Sequence, residues 1–161
     1  LPGNRDRIIE TAGPIMEELL QATGESVQLY EVSGTTRTCI ATREPEAGLH
    51  NVVPVGRQLP LTSGSAARVI AAFAGIHVPD ATFSEHDIEL AKEDGYSVSI
   101  EEREAGLASI SAPVFDGAGT FIAALSVSGS AERFRPSPAD KFAPMLTAAA
   151  QKLSDALAAD A

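Results

Sequence analysis

Two strongly apolar segments, residues 107–115 and 120–128, constrain the fold more than any other feature of this sequence. The four residues between them, Asp116-Gly117-Ala118-Gly119, are turn formers, so the segments are predicted to form a β-hairpin. Side chains alternate between the two faces of a strand. One face of this hairpin is therefore a core face, and it carries Ala108, Ile110, Ala112, Val114, Phe121, Ala123, Leu125 and Val127.

The opposite face of the hairpin is rich in serine. A four-residue loop would pair Phe115 with Thr120, and counting back from there pairs Ser109 with Ser126. Solvation is the simplest interpretation of such a face. Small side chains, however, also leave room above a sheet, and hydroxyls both donate and accept hydrogen bonds, as small-molecule sites require. The residues of this face are Ser109, Ser111, Ile122, Ala124, Ser126 and Ser128.

A second candidate feature is the segment 55–73, which leads through Pro60 into an alanine-rich helix. Thr62 or Ser63 is predicted to cap a helix that begins near Gly64. The free N–H groups of a helix start favour a carboxylate or another small anion, although an ordinary capped helix is the simpler interpretation. If the turn that ends at Ser65 lies over the serine face, the two features together predict a pocket for a carboxylate or hydroxy acid.

The remaining elements complete an α+β domain with an antiparallel sheet. An amphipathic helix over 4–23 is expected to kink or divide at Gly13-Pro14, and Ser137 and Pro138 begin a long terminal helix. The two terminal helices are predicted to cover one face of the sheet. Between them the patterns predict strands at 26–32, 36–42, 51–55 and 96–100, a capped helix starting at Ser84 and ending at Gly95, and a solvated acidic turn at 101–106.

Composition and charge narrow the class of protein. The 161 residues fit one domain, and 22 acidic against 12 basic side chains give a net charge of −10, which disfavours direct binding to nucleic acid. No apolar run has membrane-spanning length, and no signal peptide is apparent. The single cysteine, Cys39, suggests a reducing compartment and hence a cytoplasmic protein. Because the sequence does not begin with Met, we expect a fragment of a longer chain.

The sequence contains no combination of residues that is typical of a catalytic site. The spacing of Ser65 and Arg68 matches the S-x-x-K motif, but arginine cannot act as the base at neutral pH. The three histidines, His50, His77 and His86, lack metal-ligand spacing. We therefore predict no catalytic residue, no metal site and no cofactor.

Taken in order, these blocks resemble the C-terminal effector-binding domain of IclR-family transcriptional regulators over nearly the full length of the chain. The order and spacing of the later blocks are the most specific part of the resemblance. The blocks are residues 18–25 (ELLQATGE), 56–61, 94–98 (DGYSV), 110–116 (ISAPVFD), 123–129 (AALSVSG) and the terminal amphipathic helix, with Glu102 and Gly106 between them.

The resemblance implies a GAF-like fold whose ligand pocket lies on the sheet face opposite the terminal helices. It implies a small-molecule effector, often an organic acid, contacted at Gly64, Ser65, Ser99, Ser109, Ser126 and Ser128. Together with Ser63 and Ser111 from the residue patterns, these form the predicted ligand-binding set. The sequence departs from the family pattern at the helix start (Gly64 to Arg68), at Ser99, and in a short passage between Phe73 and Glu85.

The resemblance also implies a homodimer or homotetramer that contacts DNA only through a winged-helix domain preceding Leu1. Residues 1–161 would then be the effector-binding domain alone. Two alternatives remain open. One is a standalone small-molecule-binding module without DNA-binding heads, and the other is a serine hydrolase that uses Ser65 or Ser128.

Overall fold

The computed structural model describes residues 4–46 and 53–159. These residues form a six-stranded antiparallel sheet with the strand order β3-β2-β1-β6-β5-β4. The elements are α1 (Asn4–Thr23), β1 (Ser26–Ser33), β2 (Thr36–Arg43), β3 (Gln58–Pro60), α2 (Ser65–Ala74), α3 (Glu85–Asp94), β4 (Ser97–Ile100), β5 (Leu107–Phe115), β6 (Phe121–Ser130), α4 (Ala131–Phe134) and α5 (Pro138–Ala159).

The sheet has a helical layer on each face. The terminal helices α1 and α5 pack together and bury Met16 and Leu146 against Leu125 and Val127 of β6. Helix α2 lies on the other face, where Val69 and Ile70 pack against Tyr30. The predicted α+β class, with the terminal helices on one face, is therefore confirmed.

Helix α1 is continuous across Gly13-Pro14, so of the two predicted outcomes, a kink or a division, the division does not occur. Proline removes one donor from the helical ladder. The flanking residues Ala12, Ile15 and Met16 are nevertheless all buried in the core, and their packing compensates for the lost hydrogen bond.

The β5–β6 hairpin forms as predicted, but its register is shifted by two residues. Ser109 lies opposite Ser128, and not opposite Ser126. The connection comprises residues 116–120, one more than expected, and a β-bulge next to Phe115 adds the second residue. A shift of two leaves the serine face intact because side chains alternate with a period of two.

The bulge does exchange the faces of two apolar residues. Phe121 lies beside Phe115, with ring centroids 6.4 Å apart, and Phe115 in turn contacts Phe73 of α2 at 5.8 Å. Phe121 therefore belongs to the α2 side, whereas Ile122 packs against the core of the terminal helices. The sequence pattern assigned each of them to the opposite face.

The third strand is β3, and the expected strand at 51–55 is wrong where it can be checked. Residues 51 and 52 lie outside the described ranges, and 53–55 form a loop and a turn. Pro60 is compatible with β3 because this strand is at the edge of the sheet, where a missing donor costs no ladder bond. The short helix α4, capped by Ser130, was not predicted.

The other helix boundaries agree with the predicted caps. Ser84 and Asp87 form a reciprocal capping box at the start of α3, and Gly95 ends this helix in the left-handed conformation. The Ser137 hydroxyl accepts a hydrogen bond from the Asp140 backbone at the start of α5. Within the described ranges no helix is both long and apolar enough to cross a lipid bilayer.

Candidate functional site

The candidate site begins with two rows of polar residues that run across the sheet on the α2 face. In the first row Ser128, Ser109 and Ser99 lie opposite one another on β6, β5 and β4. In the second row Gln28 of β1 lies opposite Ser126, which continues to Ser111 and Ser97. Side chains opposite one another in a sheet are about 5 Å apart, so the rows bring their hydroxyls within hydrogen-bonding range.

Helix α2 is held on these rows by its first residue. The Ser65 hydroxyl lies 2.6 Å from the Ser109 hydroxyl and 2.7 Å from that of Ser111, which also bonds to Ser126. On the neighbouring strands the Ser128 hydroxyl donates to Gln28 Oε1 at 3.0 Å. The hydrogen bonds therefore form two groups, a chain through Ser109, Ser65, Ser111 and Ser126 and a separate pair of Ser128 and Gln28.

The start of α2 is capped differently from the sequence prediction. The N-cap residue is Gly64, and neither Thr62 nor Ser63 provides a side-chain cap. Instead Glu102, from the loop between β4 and β5, accepts a hydrogen bond from the Gly64 backbone N–H at 3.0 Å. A side-chain cap was impossible at Gly64, and glycine is required there because φ is +103°.

The sequence predicted that residues 101–106 form a solvated turn. This prediction is wrong for Glu102, which is bound to the start of α2. Its carboxylate also pairs with Arg68 of α2 and accepts a hydrogen bond from the Thr82 hydroxyl at 2.8 Å. These contacts hold residues 101–106, which we call the covering loop, against the start of α2. The acidic loop thus closes the site.

A small cavity lies between the covering loop, the start of α2 and the serine rows. Its volume is about 30 Å³, room for about one or two water molecules. Small-molecule pockets are usually roughly tenfold larger or more. In this closed arrangement the cavity fits a ligand of only a few non-hydrogen atoms. The lining residues are Gln28, Tyr30, Arg37, Gly64, Ser65, Ala66, Ser99, Arg103, Glu104, Leu107, Ala108, Ser109, Ser126 and Ser128.

Most of the predicted ligand-binding residues converge on this cavity. Its lining includes Gly64, Ser65, Ser99, Ser109, Ser126 and Ser128. Ser111 is outside the lining and lies beneath it, hydrogen-bonded to two of the lining serines. Ser63 is also outside the lining, and its backbone carbonyl accepts a hydrogen bond from Arg37. Contact between a ligand and these residues stays a prediction.

The cationic side of the cavity was not predicted from the sequence. Arg37 of β2 is 3% exposed, and its Nη1 donates to the carbonyls of Pro60 and Ser63 at 2.6 and 3.1 Å. Its guanidinium carbon lies 5.3 Å from the centre of the Tyr30 ring. Burial lowers the pKa of Arg37, and burial raises the pKa of Tyr30 to about 12. Arg37 and Cys39 are two positions apart in the predicted strand and so share a face, which was the available signal that Arg37 points inward.

The described residues contain no pair of nucleophile and base at this site. Ser65 and Ser128 are hydrogen-bonded to other serines and to Gln28, and not to an acid or imidazole. His77 and His86 are exposed near α3, and His50 lies outside the described residues. Residues 4–46 and 53–159 also hold no group of three or more side chains that could ligate a metal ion.

The Cys39 thiol is likewise unsuited to catalysis. It is fully buried, and burial raises its pKa to about 11. The thiolate, which is the reactive form, is therefore scarce near neutral pH.

Comparison with known proteins identifies the family. The family model described as "Bacterial transcriptional regulator IclR C-terminal" matches residues 4–89 and 78–155. The chain therefore belongs to the IclR C-terminal family, a family of regulator domains and not of enzymes.

Individual relatives agree with this assignment. The transcriptional repressor AllR of Salmonella typhimurium is 29% identical over 148 residues, which cover 81% of this chain and 54% of AllR. The Thermotoga maritima IclR structure has a TM-score of 0.82 at 25% identity, covering 94% of this chain and 68% of that one. The C-terminal domain of Escherichia coli KdgR has a TM-score of 0.77 at 27% identity, covering 94% and 98%. The chain spans about half the length of the curated relatives that it matches.

Proposed function

We propose that this domain senses a small organic acid for a transcriptional regulator and binds it in the cavity beneath the covering loop. One observation carries the proposal: a hydroxyl-lined cavity at the start of a helix. Ser99, Ser109, Ser126 and Ser128 supply donors and acceptors on one side, and α2 begins on the other. A helix start favours negative charge, of which Glu102 already supplies one at the Gly64 N–H, and the hydroxyls suit the oxygens of an oxo or hydroxy acid.

In this proposal, the effect of ligand binding on DNA would arise from parts of the protein outside the ligand site. Residues 1–161 would form the effector-binding domain of a dimer or tetramer, acting in the cytoplasm, with DNA bound by a separate winged-helix domain. Ligand binding affects DNA only if it favours one arrangement of the subunits over another. Relatives named as transcriptional repressors support a regulatory role for this domain. Repression itself is a property of those relatives and is not part of this proposal.

A thermal-shift screen of the domain against small oxo and hydroxy acids tests the proposal. A ligand at one hundred times its Kd adds about 2.7 kcal/mol, which raises Tm by on the order of 5–10 °C for a domain of this size. We expect such a shift with at least one acid, and none with the same acid in a variant whose cavity is filled. If no acid raises Tm, the effector is not an organic acid of this size.

The screen also tests the hydrolase alternative. Compounds recovered unchanged after incubation would support a sensor, whereas a shift that decays as the compound is consumed would indicate turnover. The hydrogen-bond partners of Ser65 and Ser128 favour the sensor, because neither hydroxyl has a base to activate it.

A further inference from the structure

The hydrogen-bonding balance of the cavity wall is uneven. Within residues 4–46 and 53–159, the buried side-chain atoms that lack a hydrogen-bond partner are Gln28 Nε2, Arg37 Nε and Arg68 Nε, all of them donors. Gln28 and Arg37 both line the cavity. A buried donor without an acceptor is costly, so native proteins satisfy nearly all of them with protein, water or ligand. The partner that this wall requires is an acceptor.

The charge of the wall requires the same kind of partner. Arg37 is almost fully buried, and no carboxylate in the described ranges lies within ion-pair distance of it. Arg103 adds a second cation to the lining, and Glu104, which is exposed, adds the one carboxylate among the lining residues. Glu102 caps the start of α2 and does not pair with Arg37, because its oxygens are bound to Gly64, Thr82 and Arg68. Buried charges in proteins are normally paired.

The guanidinium of Arg37 is also held in one orientation before any ligand binds. Its Nη1 is bound to the carbonyls of Pro60 and Ser63, and Tyr30 stacks near its carbon. Its Nη2 approaches Gly64 so closely that a Cβ atom there would lie 3.1 Å away. Nη1 is satisfied by the two carbonyls, whereas the buried Nε–H has no partner among the described residues, and its fixed position lowers the entropic cost of binding.

The geometry points to Arg37, together with Gln28, as the part of the cavity that selects for negative charge. Arg37 Nε–H and Gln28 Nε2–H donate to the carboxylate of the effector, and the serine hydroxyls bind the remainder of the molecule. This inference rests on the proposed function, and it names the residues that distinguish an acid from its neutral analogue. The ligand class is a small monocarboxylate.

Matched pairs of ligands test this assignment directly. Formate, glycolate and lactate are each compared with formamide, glycolamide and lactamide, which have nearly the same shape but no charge. We expect wild type to bind at least one acid more than tenfold tighter than its amide. Arg37→Met should weaken the acid roughly tenfold to a hundredfold, because a hydrogen bond to a charged group is lost, and should leave the amide within about twofold. A purely structural role for Arg37 would weaken acid and amide equally.

Two further variants serve as controls for position and charge. Arg103→Met removes a cation from the same cavity at a half-buried position, and we expect a loss of less than about threefold that disappears in high salt. Arg37→Lys keeps the charge and should retain part of the preference for acid. If Arg37→Met fails to fold, Arg37→Lys and the following measurement on wild type still decide the question.

The side-chain Nε–H resonances of the arginines provide a direct measurement on the wild-type domain. The Arg37 signal, assigned by its absence in Arg37→Lys, should move strongly downfield when the acid is added. The Arg68 signal is the internal control, since its Nε is also buried and unpartnered but Arg68 does not line the cavity.

The outcomes separate this inference from the proposed function. If none of the acids binds wild type, the organic-acid function fails, and the inference fails with it. If an acid binds but the Arg37 signal does not move, or the preference for acid survives in Arg37→Met, only the inference fails. Arg37 would then be a structural residue whose Nε is satisfied by water.

Discussion

The carboxylate of Glu102 accepts a hydrogen bond from the backbone N–H of Gly64, 38 positions earlier in the chain, at 3.0 Å. A helix start usually obtains its cap from a residue of its own turn. Here the cap comes from the covering loop, so the same contact stabilises α2 and closes the cavity. Loop closure and helix capping are therefore coupled in this fold.

Replacement of Glu102 by glutamine tests this coupling. Glu102→Gln keeps the size of the side chain but removes the charge that Arg68 and the helix start require. We expect a loss of about 1–2 kcal/mol in the free energy of unfolding, because charge-assisted hydrogen bonds are lost at a site that is largely shielded from water. Urea denaturation measures the loss, and hydrogen exchange of the Gly64 amide should become faster.

The matched control for this substitution is Glu104→Gln on the same loop. Glu104 is exposed, and its effect should stay within about 0.5 kcal/mol. Equal effects of the two substitutions would mean that general loop charge, and not the cap at Gly64, accounts for the stability.

Substitution of Ser126 tests the location of the cavity. Ser126 is 2% exposed and lines the cavity beside Gln28 and Ser128. Ser126→Leu fills a space of about 30 Å³, and should abolish acid binding while overpacking costs about 1–3 kcal/mol. Calorimetric titration with the acid found in the screen, alongside circular dichroism, separates lost binding from lost folding.

Ser126→Ala is the companion variant, because it removes the hydroxyl and leaves the space open. We expect it to retain weakened binding. Unchanged affinity in the leucine variant would place the ligand elsewhere in the domain.

The faces of the strands could be predicted from the sequence, whereas the register of the hairpin could not. Alternation in β5 and β6 depends only on a period of two, so the serine face survives a register shift of two residues. Loop length and a bulge beside Phe115 depend on local backbone geometry that composition does not encode. The bulge alone accounts for the exchanged faces of Phe121 and Ile122.

The residues of the candidate site likewise fall into those that the sequence predicted and those that it did not. Serines on strands could be placed because their positions follow from the pattern of each strand. Arg37 and Glu102 could not, since their roles depend on contacts with Ser63 and Gly64 that lie far away in sequence. A lone arginine in a strand or a glutamate in an acidic loop is ordinarily solvated, and only the tertiary structure shows that both are enclosed.

The start of α3 gives a prediction about pH. Hydrogen bonding from the Ser84 backbone N–H, at 2.8 Å, lowers the pKa of Asp87, and Arg68 nearby acts in the same direction. A depressed carboxyl pKa stabilises the folded state above the ordinary value of 3.8, and this stabilisation is lost as pH falls through the lowered pKa. Asp87→Asn should therefore be less stable than wild type near neutral pH.

The difference between these two proteins should narrow below about pH 4 and vanish once Asp87 is protonated in both states. Thermal unfolding measured from neutral to strongly acidic pH follows this change. A constant difference across the whole range would show that the substitution acts through helix propensity and not through the charge of Asp87.

The assignment of the two sheet faces can be tested at Leu125, which is fully buried on the face of the terminal helices. Leu125→Asp places an unpaired carboxylate among apolar side chains, which costs several kcal/mol, a large share of the stability of a small domain. We expect no cooperative unfolding transition and no folded peak in size-exclusion chromatography. Leu90→Asp makes the same chemical change at a position that is 40% exposed, and it should stay within about 0.5 kcal/mol of wild type. A soluble Leu125→Asp protein that still binds the acid would mean that Leu125 faces the ligand side of the sheet.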